Sequence, residues 1–340
     1  MQTESSTLES GQTVKTGRSR APVFVLGCGR SGTKLLYHML LSSGGFAVYH
    51  AESNAFNLLG LRFGNLRHLR SRQKLLQSWL RSKLFERTGL SPEEISPRIL
   101  ADCRNPGDFL RIVMETIARK QGVERWAEST PLHLLYMPQI KVLIPDALVI
   151  HIIRDGRDVA LSLDKIGWIR PFAWDRERSL LTAGLFWRWM VRKGRQHGRG
   201  LGHDYLEIHY EDLVEHSRET LAQISAFIEQ DLDYERIRNN PLGSVRTPNS
   251  SFKNDPAQKN FSPIGRWKTV LSSAQVRELE SVIGDTLHDV GYPDASSPPP
   301  SAPARLMSLL YPAFFGAKLW LKSSTLLART ADVGRMKISP

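Results

Sequence analysis

A loop rich in glycine interrupts an apolar run near the start of the chain. It covers residues 27–34, Gly-Cys-Gly-Arg-Ser-Gly-Thr-Lys, between the strand-like run Pro22–Leu26 and a helical pattern over Thr33–Ser42. A glycine-rich turn between a strand and a helix directs backbone N–H groups and the positive end of the helix dipole at one point. Arg30 adds a permanent, fork-shaped cation. The loop therefore predicts a binding site for a phosphate, in particular a diphosphate-like group.

The order of residues in this loop differs from the Walker A loop, G-x-x-x-x-G-K-[ST]. Gly27 and Gly32 have the Walker spacing, but Thr33 precedes Lys34 where the lysine should come first. The hydroxyl that would bind Mg²⁺ is therefore displaced, and the cation Arg30 lies inside the loop instead. We expect a nucleotide site without a metal ion, with a P-loop-type small-molecule kinase as an alternative.

A second cation follows a buried-strand pattern about 120 residues later. The apolar-dominated run Leu148–Ile153 predicts a strand, and Arg154 directly follows it. Ligands of open parallel sheets bind beyond the carboxyl ends of the strands. Ser162 comes eight residues later, where a helix returning past the same edge would carry it. An arginine with a serine suits a second phosphate held without a metal ion.

The two segments GCGRSGTKLL and VIHIIRDGRDVALSL, in this order, resemble those of the PAPS-dependent sulfotransferases, in their bacterial and tyrosylprotein-sulfotransferase-like branch. PAPS is 3′-phosphoadenosine 5′-phosphosulfate. The resemblance implies PAPS as co-substrate, no metal ion and a hydroxyl-bearing acceptor. The alternation of strand-like and helical patterns favours a parallel sheet. The expected fold is α/β, a P-loop-like three-layer sandwich with a mainly parallel central sheet flanked by helices.

The resemblance also implies the nucleotide-binding residues. In the family the first loop holds the 5′-phosphosulfate, and the second segment holds the 3′-phosphate. The residues expected around the nucleotide are Gly27, Arg30, Ser31, Gly32, Thr33, Lys34, Arg154, Ser162, Tyr210 of IHYEDL and Arg266 of SPIGRWKTVLS. An alternative to nucleotide binding is that Tyr210 is an ordinary core residue. Trp267 is expected beneath Arg266, with a surface arginine beside a buried tryptophan as the alternative.

Sulfuryl transfer requires a general base, because the acceptor hydroxyl must lose its proton. Relatives use a glutamate in the segment after the first helix, which here reads GGFAVYHAESNAF. Glu52 is the only carboxylate between Lys34 and Glu86, and we expect it to be the base. His50 is the rival, since its ordinary pKa is closer to neutrality. Arg30 and Lys34 are expected to stabilise the charge that develops on the leaving phosphate.

One position departs from the family pattern. Ser129, in ERWAESTPLHLL, stands where relatives often carry a lysine before Thr-Pro or Asp-Pro. Lys34, Arg30 or Ser129 itself would then have to stabilise the transferring group. Besides a sulfotransferase and a kinase, this departure leaves a third hypothesis open: a non-catalytic, sulfotransferase-like module that binds anions.

The net charge and the composition indicate which binding partners and which cellular compartment to expect. The chain has 340 residues and a net charge of +12, which predicts an anionic partner. No nucleic-acid recognition motif is present, so a nucleic-acid partner is not expected. Cys28 and Cys103 are too few for a disulfide framework and favour a reducing compartment such as the cytoplasm. The basic segment Leu61–Arg87 predicts a solvated helix with buried leucines, or a positive wall beside an anionic acceptor.

Four segments are expected along the chain. Residues 1–20 predict a disordered leader without a signal peptide, 21–292 the sulfotransferase domain, 293–304 a Pro/Ser linker and 305–340 an apolar, basic tail. The longest charge-free run of the tail is too short to span a membrane, which takes about 20 residues. Pro312 is expected to interrupt a helix there. The stretch 305–329 favours equally a peripheral membrane contact and packing on the domain.

Overall fold

The computed structural model of the protein describes residues 17–59, 62–167, 169, 172, 179–247, 262–293 and 301–324. Within them, five strands form one sheet in the order β2-β3-β1-β4-β5, and every pairing is parallel. The strands are β1 (Val23–Leu26), β2 (Phe46–Ala47), β3 (Arg125–Glu128), β4 (Leu148–Ile153) and β5 (Tyr205–His209). β1 is central, so the loop that follows it opens at the middle of the carboxyl edge.

Fifteen helices surround this sheet in the described residues. In chain order they are α1 (Gly17–Arg20), α2 (Thr33–Ser42), α3 (Leu69–Leu80), α4 (Lys83–Glu86), α5 (Pro92–Asp102), α6 (Pro106–Lys120), α7 (Met137–Leu143), α8 (Gly156–Ile166), α9 (Ser179–Gly198), α10 (Tyr210–Glu215), α11 (Ser217–Ile228), α12 (Tyr234–Asn239), α13 (Trp267–Val270), α14 (Ser273–Asp289) and α15 (Ala302–Ser324). Turns of other helix types occupy Ala55–Leu59, Pro131–Tyr136 and Arg199–Asp204.

Both faces of the sheet are covered by helices. Phe24 of β1 belongs to a core with α6, α9 and α14, whereas its neighbours Val23 and Val25 belong to a second core with α2 and α11. Successive side chains of a strand point to opposite faces, so an apolar run such as β1 must be buried on both. The expected α/β three-layer sandwich with a parallel central sheet is confirmed.

The leader prediction is wrong at its last four residues. Gly17–Arg20 forms α1, and the Arg18 guanidinium donates hydrogen bonds to the carbonyl oxygen of Phe227 at 2.6 Å and to Asp204 at 3.1 Å. Arg125 of β3 in turn donates to the carbonyl oxygen of Arg18 at 3.0 Å. These charge-assisted bonds tie the segment to the domain. Residues 1–16 lie outside the described residues.

The C-terminal segment is a helix packed on the domain. α15 begins at Ala302, inside the expected linker, and continues through Pro312, so the expected interruption is wrong. Tyr311 and Phe315 are buried on either side of the proline, and this packing fixes the flanking turns. No helix of the described ranges has the length and apolarity to cross a membrane. Residues 294–300 and 325–340 lie outside the described part.

Candidate active site

The first loop, which connects β1 to α2, has a strained backbone and is closely packed. Arg30 and Gly32 both have positive φ angles, 75° and 93°. A Cβ atom on Gly32 would lie 2.2 Å from the Tyr210 ring, and one on Gly27 would lie 2.5 Å from the carbonyl oxygen of Ile152. Both positions therefore require glycine, since a ring and a backbone atom occupy the space.

The two arginines that the sequence separates by 124 positions meet in one crevice. Arg154 follows β4 and donates a hydrogen bond from Nη1 to the carbonyl oxygen of Arg30 at 3.0 Å. Arg30 donates from Nε to Oγ of Ser162, also at 3.0 Å. The Arg154 guanidinium lies 4.5 Å from the Tyr210 ring centroid. We call this group, with Ser31, the arginine crevice; it brings both predicted phosphate segments together.

The arginine crevice has the chemistry of an anion site. Burial lowers the pKa of Arg30, and the charge of Arg154 lowers it further. Oγ of Ser31 and Nε of Arg154 are both buried without a hydrogen-bond partner. Buried donors without partners are costly, and a phosphate oxygen accepts hydrogen bonds from both donor types. The crevice therefore fits a phosphate-bearing nucleotide.

A late segment, 262–267, is held against the same crevice. Asp158 accepts hydrogen bonds from the backbone N–H groups of Gly265 at 2.8 Å and Trp267 at 3.0 Å. Arg154 donates to the carbonyl oxygen of Pro263. Arg266 lies between these fixed points, so its backbone is brought to the crevice. Its predicted contact with a phosphate stays a prediction.

Trp267 stacks on a buried arginine. Its ring lies 3.9 Å from the guanidinium carbon of Arg157, and its Nε1–H donates to Asp155 at 3.2 Å. The Arg157 guanidinium also donates to Asp155 at 2.7 Å and to Glu280 at 2.6 Å. The tryptophan thus stacks on a buried arginine that two carboxylates hold. Its expected packing beneath Arg266 stays a prediction.

A cleft beside the first loop holds the predicted base. This small cleft is lined by Thr33, Lys34, Tyr37, His38, His50, Ala51, Glu52 and Ser129. We call it the Glu52 cleft. Lys34 and Thr33 belong to both the loop and the cleft, so the two sites adjoin. The structure brings together Lys34, Glu52, Ser129 and the rival base His50.

Glu52 has the electrostatic environment of a general base. Burial, followed by the charge of Glu128, raises the pKa of Glu52 to about 7, against smaller opposing effects of His133 and Lys34. A base acts best when its pKa is near the operating pH. Burial lowers the pKa of His50, as do the charges of Arg87 and Lys34, so this imidazole is the weaker base.

A buried carboxylate that no sequence motif identified, Glu128, lies beside this cleft. Glu128, at the end of β3, accepts hydrogen bonds from Oγ of Ser53 at 2.8 Å and from the backbone N–H of Thr130 at 3.1 Å. Burial alone would raise the pKa of Glu128, but His133 and the side-chain hydrogen bonds from Thr130 and Ser53 hold it below its ordinary value. An acidic residue inside an otherwise buried strand pattern was the signal available.

The tautomer of His133 identifies its role. The backbone N–H of Phe56 donates to Nε2 of His133 at 3.3 Å, so Nδ1 carries the proton. Nδ1 lies 2.9 Å from Oε2 of Glu128 and donates to it. This hydrogen bond favours the ionised form of Glu128. That charge stands beside the segment that carries Glu52.

Replacing Glu128 with glutamine should lower the pKa of Glu52. The substitution removes the negative charge that opposes ionisation of Glu52, so Glu52 will lose its proton at lower pH than in the wild type. NMR titration of the side-chain carboxyl carbons measures this directly. Glu128→Asp keeps the charge and should restore most of the wild-type pKa. An unchanged Glu52 titration in Glu128→Gln would show that the two groups are not coupled.

Ionised Glu52 should cost stability. Its folded pKa of about 7 exceeds its ordinary value of 4.5, so folding disfavours the charged form. The cost is absent below the lower pKa, grows between the two values and is complete above the higher one. Glu52→Gln should therefore stabilise the protein by about 1–3 kcal/mol near pH 8 and by much less near pH 4. Chemical denaturation at the two pH values tests this; equal effects at both would contradict it.

The described residues contain no group of three or more His, Cys, Asp or Glu side chains that could hold a metal ion. Three cations, Arg30, Arg154 and Lys34, lie at the first loop and at the two sites beside it.

Comparisons with solved structures match this chain to sulfotransferases. The chain shares its fold with a sulfotransferase domain from the curacin biosynthetic pathway, at 16% identity over 80% of this chain and 98% of that one, with a TM-score of 0.51. A sulfotransferase domain of the Synechococcus PCC 7002 olefin synthase matches at 18% identity over 87% of this chain and 94% of that one, with a TM-score of 0.47. Mouse sulfotransferase SULT7A1 complexed with PAP matches at 16% identity over 80% of this chain and 87% of that one, with a TM-score of 0.45.

Sequence comparison with curated proteins gives no significant match. A family model does match: that of the Sulfotransferase family aligns with residues 22–247, more than half of the chain. The aligned region contains the first loop, the Glu52 cleft, and both arginines of the crevice. The chain belongs to the sulfotransferase family.

Proposed function

We propose that the protein transfers the sulfuryl group of PAPS to a hydroxyl-bearing acceptor. The observation that carries the proposal is the arginine crevice and its direct continuation, through Lys34, into the Glu52 cleft. A donor nucleotide and an acceptor hydroxyl could thereby meet at the first loop.

The nucleotide would be held at both ends. The backbone of residues 27–34, with Ser31, Thr33 and Lys34, would take the 5′ side, where PAPS supplies an activated sulfuryl group. Arg154 and Ser162 would take the 3′-phosphate. Their order along the carboxyl edge follows from β1 and β4 being neighbours in the sheet.

Glu52 would act as the general base. Its carboxylate accepts the proton of the acceptor hydroxyl, whose oxygen forms a bond to sulfur while the bond from sulfur to the 5′-phosphate oxygen breaks. The phosphate leaves with the bonding electron pair, and Lys34 and Arg30 stabilise its added charge. Positioning and electrostatic stabilisation supply most of the rate enhancement in transfers of this kind.

Charge around the Glu52 cleft favours an anionic acceptor. Arg87, at the end of the basic segment, donates a hydrogen bond to the carbonyl oxygen of His50 at 3.2 Å. Its charge acts on His50 and Lys34, both of which line the cleft. The rest of the segment is partly structural, since Trp79 of α3 is buried and Arg72 donates to backbone carbonyls. Carbohydrate, lipid, phenol and peptide tyrosine all present suitable hydroxyls.

Both thiols suit a reducing compartment. Cys28 and Cys103 are both buried and free. Burial raises the pKa of Cys28, which keeps this thiol protonated and unreactive. A cytoplasmic setting suits such a chain.

A transfer assay with sulfur-labelled PAPS tests the proposed function. Extracts of the host lacking this protein serve as the acceptor pool, and mass spectrometry identifies products that lose SO₃. We expect labelled product with the wild type and little with Glu52→Gln. Tight binding of 3′,5′-adenosine bisphosphate without transfer to any acceptor would instead indicate a non-catalytic anion-binding module. Phosphate transfer from ATP that requires Mg²⁺ would indicate the kinase.

A further inference from the structure

Helix α15 has two apolar faces, one buried against the domain and one exposed to solvent. Ala304, Met307, Tyr311 and Phe315 are buried against the domain. A second set of large apolar side chains is exposed to solvent: Leu306 (57% exposed), Leu309 (74%), Leu310 (54%), Trp320 (61%) and Leu321 (40%). An exposed apolar surface of this kind is typical of an interaction site.

The five exposed side chains form one continuous stripe. At 3.6 residues per turn, they fall within about 120° of the helix circumference. Ala313 and Ala317, which are exposed between them, continue the same stripe along the axis. The stripe, which we call the outer face of α15, lies away from the face that Tyr311 and Phe315 bury.

Cations border the outer face, and carboxylates are absent from the helix. Arg305 and Lys318 are exposed and project on opposite sides of the stripe. The sequence of Ala302–Ser324 contains no Asp or Glu. A helix with an apolar face flanked by cations, and with tryptophan on it, matches the chemistry of a membrane interface.

We propose that the outer face of α15 docks the protein in the plane of an anionic lipid surface. Leu309 and Leu310 would enter the acyl boundary, and Arg305 and Lys318 would meet negatively charged headgroups. A second copy of this chain is the less suitable occupant. It would bring further cations towards Arg305 and Lys318, and its own α15 has no carboxylate to neutralise them.

Vesicle co-sedimentation tests this docking with the full chain. Vesicles of phosphatidylcholine alone are compared with vesicles in which one third of the lipid is phosphatidylserine. We expect binding to the anionic vesicles that weakens with added salt. Leu309→Glu should reduce the apparent affinity at least about tenfold, because a charge is costly in the acyl boundary. Arg305→Gln combined with Lys318→Gln should reduce the preference for phosphatidylserine.

A matched variant separates docking from general surface effects. Val142 on α7 is 75% exposed and lies outside the outer face, so Val142→Glu should leave vesicle binding unchanged. Thermal melting should be unchanged in both glutamate variants, since neither side chain is buried. Equal vesicle binding by Leu309→Glu and the wild type would overturn the proposal. So would a concentration-dependent dimer, seen by light scattering, that Leu309→Glu abolishes.

Discussion

Glu52→Gln is expected to lower kcat for sulfuryl transfer by about 10²–10⁴-fold, the range for losing a general base. Glutamine preserves the shape and hydrogen-bonding capacity of the side chain but cannot take the acceptor proton. Affinity for 3′,5′-adenosine bisphosphate should stay at the wild-type level, because the arginine crevice is intact. In the wild type, activity should rise with pH through the pKa of Glu52, about 7.

Two comparison variants make this result specific. Glu86→Gln removes the next carboxylate in the sequence, which is exposed, and should leave kcat unchanged. His50→Gln tests the rival base in the same cleft and should cost far less than Glu52→Gln. Wild-type turnover by Glu52→Gln, with loss of turnover in His50→Gln, would transfer the role of base to the histidine.

Arg154→Ala is expected to weaken binding of 3′,5′-adenosine bisphosphate by about 1.5–3 kcal/mol, the range for a charged hydrogen-bond partner. That corresponds to a dissociation constant higher by about one to two orders of magnitude. The affinity for 5′-AMP, which lacks the 3′-phosphate, should change much less. Titration calorimetry with the two nucleotides gives both values for each variant.

A second arginine variant controls for loss of a guanidinium from the fold. Arg188 on α9 donates to the carbonyl oxygen of Val282 at 3.0 Å and to Asp285 at 2.8 Å. It is largely buried but makes no hydrogen bond to the residues of the crevice, so Arg188→Ala should leave both nucleotide affinities unchanged. If Arg154→Ala lost the same affinity for both nucleotides, the assignment of Arg154 to the 3′-phosphate would be wrong.

Much of this site was predictable because its parts are local in sequence. The apolar run before Gly27 and the one before Arg154 each predict a strand, and a parallel sheet brings the residues after its strands to one edge. The resemblance placed the base in the segment after the first helix, and the isolation of Glu52 in that uncharged stretch then identified the candidate. The structure places these segments in adjoining sites.

What sequence reasoning missed depends on tertiary contacts. The ionised form of Glu128 is favoured by the hydrogen bond from His133, whose ring a backbone N–H of Phe56 also contacts. Trp267 stacks on Arg157 because Asp155 positions both, and no spacing rule encodes that arrangement. Strand β2 has only two residues, too few for an alternating pattern to appear.

The helix that continues through Pro312 is another feature that depends on tertiary contacts. Local propensity predicts a break there, because proline lacks the N–H that the helix needs. Burial of Tyr311 and Phe315 against the domain outweighs that cost. Aromatic residues close to an internal proline are a signal of packing, but only the fold shows which surface receives them.

A crystal structure of the complex with 3′,5′-adenosine bisphosphate tests the central claim most directly. We predict one phosphate on the backbone N–H groups of residues 27–34 and on Oγ of Ser31. We predict the other phosphate on the Arg154 guanidinium, so that Ser31 Oγ and Arg154 Nε, which lack partners now, both acquire them. A nucleotide bound elsewhere, or one phosphate remote from both arginines, would contradict the account.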